Sequence, residues 1–169
     1  MRFEVSQPIK AKREAVMKAM ADPSFYESMG SSKTITQPKV LDSTVDGAVT
    51  HLRIRYGFAG DLNRAARAIL DPKKMTWVIE LDIDSDNLSA KFRMVPDHYP
   101  DRLECSGSYR FEEKDGTTVQ VMTGELKVHV PLVAPPVERA IVSGLKEHMP
   151  QEAQAIERFV AENPGEDRQ

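Results

Sequence analysis

Through the middle of the chain apolar and polar residues alternate one by one; near its end the apolar ones recur every three to four positions. The first pattern is that of strands with one buried face, the second that of a helix with one apolar side. Met1, Phe3 and Val5 alternate with Arg2, Glu4 and Ser6, which predicts a short opening strand. Ala11 to Ala21 carries Val16, Met17 and Met20 at helical spacing and stops at Asp22-Pro23. Ser24 to Met29 reads as a second short helix closed by Gly30. From Lys33 the period is two. Strands are predicted over Ile35 to Asp42 and Val49 to Phe58, joined at Asp46-Gly47, a strong hairpin signal. In the second, Leu52, Ile54, Tyr56 and Phe58 alternate with His51, Arg53, Arg55 and Gly57, so one face is buried and the other wet.

Gly60 to Pro72 interrupts the alternation, and Leu62, Ala65, Ala66, Ile69 and Leu70 predict a short helix over one end of the sheet. Met75, Trp77, Ile79, Leu81 and Ile83 are the apolar set of the next strand. Ser85 to Asn87 turns it, and Leu88, Ala90, Phe92 and Met94 return. Leu103, Cys105, Gly107, Tyr109 and Phe111 share a face of a further strand, and Asp115-Gly116 is a second hairpin signal. The last strand spans Thr117 to Pro131. Its buried set moves from Val119 and Val121 to Leu126, Val128 and Val130, a change of parity at Gly124 that predicts a bulge.

A long helix follows, from Pro135 to Asn163. At about 100° per residue, Val137, Ile141, Leu145, Met149, Ile156, Phe159 and Val160 share one broad face. Such a face must be covered. Pro135 and Pro136 suit a first turn, Glu138 suits the positive end of the dipole, and Pro164-Gly165 marks the stop. Gly144 costs about 1 kcal/mol relative to Ala at mid-helix. Pro150 removes the bond to the Lys146 carbonyl, so a bend or break is expected between Lys146 and Pro150. His148 and Glu152 project onto the apolar face if the helical phase survives that proline, and reach solvent if it does not.

The order β-α-α, six further strands, then a helix defines an α+β chain. Hairpin-connected strands form an antiparallel sheet of about seven strands; its twist gives a concave side, and the long helix must cover it. A sheet that grips one helix in this way tends to enclose an apolar cavity. Residues 1–163 read as a single domain and residues 164–169 as a disordered tail.

Composition narrows the function. The 169 residues carry a net charge of −3 and a pI near 5.8, with no basic stripe, which argues against nucleic-acid binding. No apolar run reaches membrane-spanning length and the N-terminus has no signal-peptide core, so a cytoplasmic location is expected. Cys105 is the only cysteine. It falls on the apolar parity and reads as a small buried hydrophobe rather than a nucleophile. His51, His98, His129 and His148 form no metal-ligand spacing, and no metal or cofactor is expected. His98, between Asp97 and Tyr99, reads as a loop residue or a mouth residue before it reads as an acid–base group. Arg53, Arg55, Arg93, Arg102 and Arg110 lie opposite the apolar parity with Glu80, Asp82, Glu104 and Glu112, a solvated outer face.

Several segments carry a family resemblance: MRFEVSQPI at the start, YGFAGDL (56–62), LDPKKMTWV (70–78), VPDHYPDRLECSGSYRFEE (95–113), and GELKVHVPLV with VERAIVSGLKEHM (124–149). On these the chain resembles the START-like superfamily, which also contains birch-pollen-allergen proteins and polyketide cyclases. Within it the chain is similar to a bacterial family catalogued only as a domain of unknown function. The resemblance implies the helix-grip fold and a hydrophobic ligand cavity, and it supplies no catalytic residues. The cavity wall is then the inner parity of the strands, Tyr56, Trp77, Phe92, Met94 and Tyr109, together with Ile141, Leu145, His148 and Glu152 of the helix. The expected function is binding or carriage of a lipid-, isoprenoid- or polyketide-like molecule by a monomer or homodimer. A cyclase or hydrolase-type enzyme is the alternative, and an interaction module or co-chaperone the third reading.

Overall fold

The computed structural model describes residues 1–61, 68, 71–132 and 134–165. The helix expected over residues 62–70 and most of the expected tail, residues 166–169, lie outside the described residues. Strand β1 (Arg2–Ile9) is followed by helices α1 (Arg13–Met20) and α2 (Pro23–Ser28). Strands β2 (Lys39–Asp46), β3 (Val49–Gly57), β4 (Thr76–Asp84), β5 (Ser89–Pro96), β6 (Leu103–Lys114) and β7 (Thr117–Val128) come next, and helix α3 (Ala134–Glu162) ends the fold. All seven strands form one antiparallel sheet in the order β1-β7-β6-β5-β4-β3-β2. It is open, with β1 and β2 as edges. Helix α3 packs chiefly on β1, β7 and α1, which is the helix-grip arrangement.

Local chemistry explains most boundaries. Asp22 caps α2 by accepting from the Ser24 N–H at 2.9 Å, and Pro23 sits in the first turn, where it gives up no bond. In the β6–β7 hairpin Asp115 and Gly116 both have positive φ, 53° and 76°, the signature of a type I′ turn. Between β4 and β5 the turn is longer than the alternation suggests. Leu88 takes φ 50° and belongs to the turn, where the Asp84 carboxylate accepts from the Asn87 N–H and side-chain amide at 3.0 and 2.7 Å.

Three expectations about strands are corrected. The strand predicted over Ile35 to Asp42 begins at Lys39 and runs to Asp46, and Ile35 makes only an isolated bridge to Phe58. Pro38 has no N–H for a ladder, and the Ser31 and Ser32 hydroxyls take the N–H groups of Gln37 and Ile35, both at 3.0 Å. Pairing with β3 carries the strand onward through Ser43 and Thr44, which have no apolar pattern of their own. The last strand ends at Val128 and has no bulge at Gly124. Its register with β6 is continuous from Thr117 to Val128. The inward set is Thr118, Gln120, Met122 and Leu126 throughout, and Thr118 and Gln120 are fully buried. Two polar side chains there break the apolar signal. Thr118 donates to the Ala11 carbonyl at 2.7 Å, and the Gln120 amide lies 3.4 Å from the Met20 sulfur.

The pairings place inward residues in transverse rows. One row runs Leu52, Leu81, Phe92, Gly107, Gly124, Phe3. A Cβ on Gly107 would lie 2.0 Å from the Thr123 carbonyl oxygen and 2.8 Å from Phe92 Cε1; one on Gly124 would lie 2.6 Å from Phe3 Cζ. Phenyl rings from both neighbouring strands therefore cover the space the glycines leave. That is why Gly124 is glycine: close approach, with no bulge.

Helix α3 is unbroken through Pro150, so the expected interruption is absent. The helical phase supplies the reason. With Ile141 at zero, Leu145, His148, Glu152 and Phe159 fall within about 40° of one line. Val142, Met149, Ala153 and Ile156, all buried, follow a second line about 90° away, and Pro150 lies about 180° from the first. Pro150 is exposed, so water can solvate the carbonyl it orphans, on the side where helices already lengthen their bonds. The single broad apolar face is thus two stripes. The buried one meets the core of Ile9, Val16, Met20 and Phe25; the first also reaches that core at its far end, where Phe159 lies edge-on to Phe25 at 5.5 Å between centroids.

Gly144 is not a packing requirement, because a Cβ there would meet nothing within 4 Å. Gly144→Ala is expected to stabilise the fold by about 0.5–1 kcal/mol, read as a higher midpoint in urea. A lower midpoint would mean that the helix needs the glycine's flexibility.

Candidate functional site

The row Tyr56, Trp77, Pro96, Leu103, Val128 closes the end of the sheet nearest the start of α3. Every one of these residues is only partly buried. Ile79 and Met94, one row further in, and Tyr109 are also partly buried and pack against the core. Facing them is the first stripe of α3, with Ile141, Leu145, His148 and Glu152, none of them fully buried. At the opposite end Leu52, Leu81, Ile83, Ala90 and Phe111 are buried to 5% exposure or less. The inner face is therefore sealed beside α1 and incompletely covered beside the start of α3. Glu138 fastens that start to the sheet: its carboxylate accepts from the Val128 N–H at 3.0 Å.

Aromatic rings line the partly covered end. Tyr56 and Trp77 are cross-strand neighbours and stack with centroids 6.2 Å apart. Tyr109 is also partly buried but lies in the row of Ile83 and Ala90, three rows away, 5.4 Å from Phe92 and 6.3 Å from Phe111. Phe92 is itself buried and fills the space over Gly107, so it supports the site without facing the opening.

His148 and Glu152 keep their helical phase and turn inward. Their side chains are 12% and 14% exposed, with His148 Nε2 3.6 Å from the Glu152 carboxylate. His148 Nδ1 is buried without a hydrogen-bond partner. Burial first, and then the Glu152 carboxylate, raise the Tyr56 hydroxyl far above its ordinary pKa, and both also raise Tyr26 and Tyr109. Tyr26, not singled out from the sequence, is buried and donates to the Met20 carbonyl at 2.7 Å. Its only sequence signal was its place in a short amphipathic helix.

The other candidates fall elsewhere. His98 is exposed, and Asp97 beside it pairs with Arg55 through two bonds of 2.9 and 3.1 Å instead of orienting the imidazole. His51 and His129 sit on the outer face with Asp82 at 2.6 Å and Glu104 at 3.2 Å. Arg93 and Arg53 flank Glu80 there, and Arg110 pairs with Glu112. Arg102 lies in the turn before β6, its guanidinium 5.2 Å from the Tyr99 ring centroid. An open hollow of about 420 Å³ crosses this face, where Arg53 and Arg93 share Glu80 and His51 lies against Asp82. Among the described residues no group of three His, Cys, Asp or Glu could hold a metal, and no helix is long and apolar enough to cross a membrane.

Cys105 is 4% exposed, and burial pushes its thiol up to about 11. Since the thiolate is the reactive form, Cys105 is expected to resist Ellman's reagent at about pH 8 and to react only as urea unfolds the chain. Rapid labelling of the folded protein would show that this part of the sheet opens.

An open antiparallel sheet gripped by a long C-terminal helix defines the START-like fold. Residues 4–160 match the family described as protein of unknown function DUF2505, and the chain belongs to that family. Solved structures share the fold at low identity. TTHA0849 from Thermus thermophilus is 18% identical with a TM-score of 0.66, over 98% of this chain and 100% of that one. The Zhui aromatase/cyclase from Streptomyces sp. R1128 is 15% identical with a TM-score of 0.63, over 98% and 96%. A START superfamily protein from Mycobacterium smegmatis is 12% identical with a TM-score of 0.54, over 95% and 97%. No curated protein matches the sequence.

Proposed function

We propose that this protein binds an apolar small molecule, lipid-, isoprenoid- or polyketide-like, between the inner face of its sheet and helix α3. The observation that carries the reading is the incomplete cover over one end of an otherwise sealed apolar face. There Tyr56, Trp77, Met94 and Leu103 stay partly exposed opposite Ile141 and Leu145. Burying such a surface under a ligand is favourable by about 25 cal/mol per Å², and a concave apolar lining with a few polar groups is the usual make-up of a small-molecule site. The test is titration with Nile red, an uncharged apolar dye, alongside native mass spectrometry of protein purified from its own host. Saturable dye binding and a co-purifying apolar mass are expected. Neither appearing would end the proposal.

The inward His148–Glu152 pair favours a second reading, an acid–base enzyme of cyclase or hydrolase type. A fold shared with an aromatase/cyclase is compatible with it. It requires that whatever co-purifies be converted on incubation; release of the molecule unchanged would leave the binding role alone.

A further inference from the structure

The polar groups beside the apolar lining are of one kind. Glu152 is a carboxylate with 14% of its side chain exposed, and it accepts no hydrogen bond among the described residues. The nearest ring nitrogen to it among them is His148 Nε2, at 3.6 Å, too far for a hydrogen bond. Arg53, Arg93 and Arg110 are committed to acids on the outer face. A carboxylate so little exposed and without donors is costly, so a ligand that brings a donor to it gains a charge-assisted bond. A ligand carboxylate would meet like charge and no inward arginine or lysine among these groups.

Resting on the binding role proposed above, we infer that the ligand of this site carries a hydrogen-bond-donating head, an amino or hydroxyl group, which it places against Glu152 with its apolar body along Leu145, Ile141 and Trp77. His148 stands beside the carboxylate, 3.6 Å away.

The test is displacement of Nile red by probes with one chain and different heads: decylamine, decanol, decyl methyl ether and decanoate. Decylamine and decanol are expected to bind about tenfold more tightly than decanoate, the equivalent of one charge-assisted hydrogen bond. Decanol is also expected to outcompete the ether, which accepts but does not donate. Glu152→Gln, of the same shape, should lose the preference for the amine over decanoate. Equal affinity for all heads, a preference for decanoate, or a preference that survives Glu152→Gln overturns the inference while leaving the binding role intact. Failure of wild-type protein to bind Nile red removes the binding role and the inference with it. The wild-type ranking needs no variant, so a Glu152→Gln protein that failed to fold would still leave the inference decided.

Discussion

Gly107→Ala is expected to destabilise the protein by about 3 kcal/mol or more, at the upper end of what overpacking costs. The added methyl would sit 2.0 Å from the Thr123 carbonyl oxygen and 2.7 Å from the Gly124 Cα. Both are backbone atoms of the paired strand, so no rotamer change relieves the contact. The strands must separate, in the middle of the longest ladder of the sheet. A domain of this size is stable by about 5–15 kcal/mol, so the loss is a large share of the total. Gly124→Ala should cost less, because its backbone contact, the Ser106 carbonyl oxygen, lies at 2.8 Å against 2.0 Å at Gly107, and its nearest contact, at 2.6 Å, is the far end of the Phe3 ring. Gly30→Ala serves as the control: a Cβ there meets nothing within 4 Å, and a change under about 0.5 kcal/mol is expected. Urea midpoints measure all three. If Gly107→Ala behaved like Gly30→Ala, β6 and β7 could not pair as described.

Leu145→Trp is expected to lower Nile red affinity at least tenfold, the equivalent of about 1.4 kcal/mol, while changing stability little. Leu145 lies on the helix stripe that faces the incompletely covered end, and it is only partly buried. A larger ring there occupies space proposed for the ligand without entering the sealed core. Val142 lies on the neighbouring stripe and is 8% exposed. Val142→Ala should do the reverse: a loss of about 1–2 kcal/mol in stability from deleted packing, with dye affinity unchanged. The pair separates binding from folding on a single helix. If Leu145→Trp bound the dye as wild type does, the dye would lie elsewhere, and the ligand site would have to be moved.

The architecture was legible because it rests on local signals. Strict alternation in β3 to β6, the Asp46-Gly47 and Asp115-Gly116 hairpins, the break at Asp22-Pro23 and the proline start of α3 each write their element into neighbouring residues. The errors came where a distant partner outweighs the local pattern. Ser43 and Thr44 join a strand because β3 supplies the bonds. Gln120 turns inward because the ladder with β6 fixes its parity, although Val119 and Val121 beside it are more apolar. Pro150 passes without breaking α3 because it falls on the solvent side, which depends on the face that packing selects.

The candidate site divides in the same way. Tyr56, Trp77, Met94 and Tyr109 could be placed on one parity, and Ile141, Leu145, His148 and Glu152 on one helical line, from period alone. Period does not say which residues of a parity are sealed. Phe92 and Tyr109 are alike in sequence terms, yet Phe92 is buried against Gly107 and Tyr109 is only partly buried. Nor could the sequence bring Tyr26, which sits in α2, near Glu152 in α3. By itself, then, the chain determined most of its elements and their order, and in β3 to β6 the side each one buries, because these follow from backbone geometry over a few residues. The division of α3 into a buried stripe and a partly open one, and the inward turn of His148 and Glu152, was decided only by the tertiary structure. Contacts between residues a hundred positions apart depend on how the sheet wraps the helix, which no local period records.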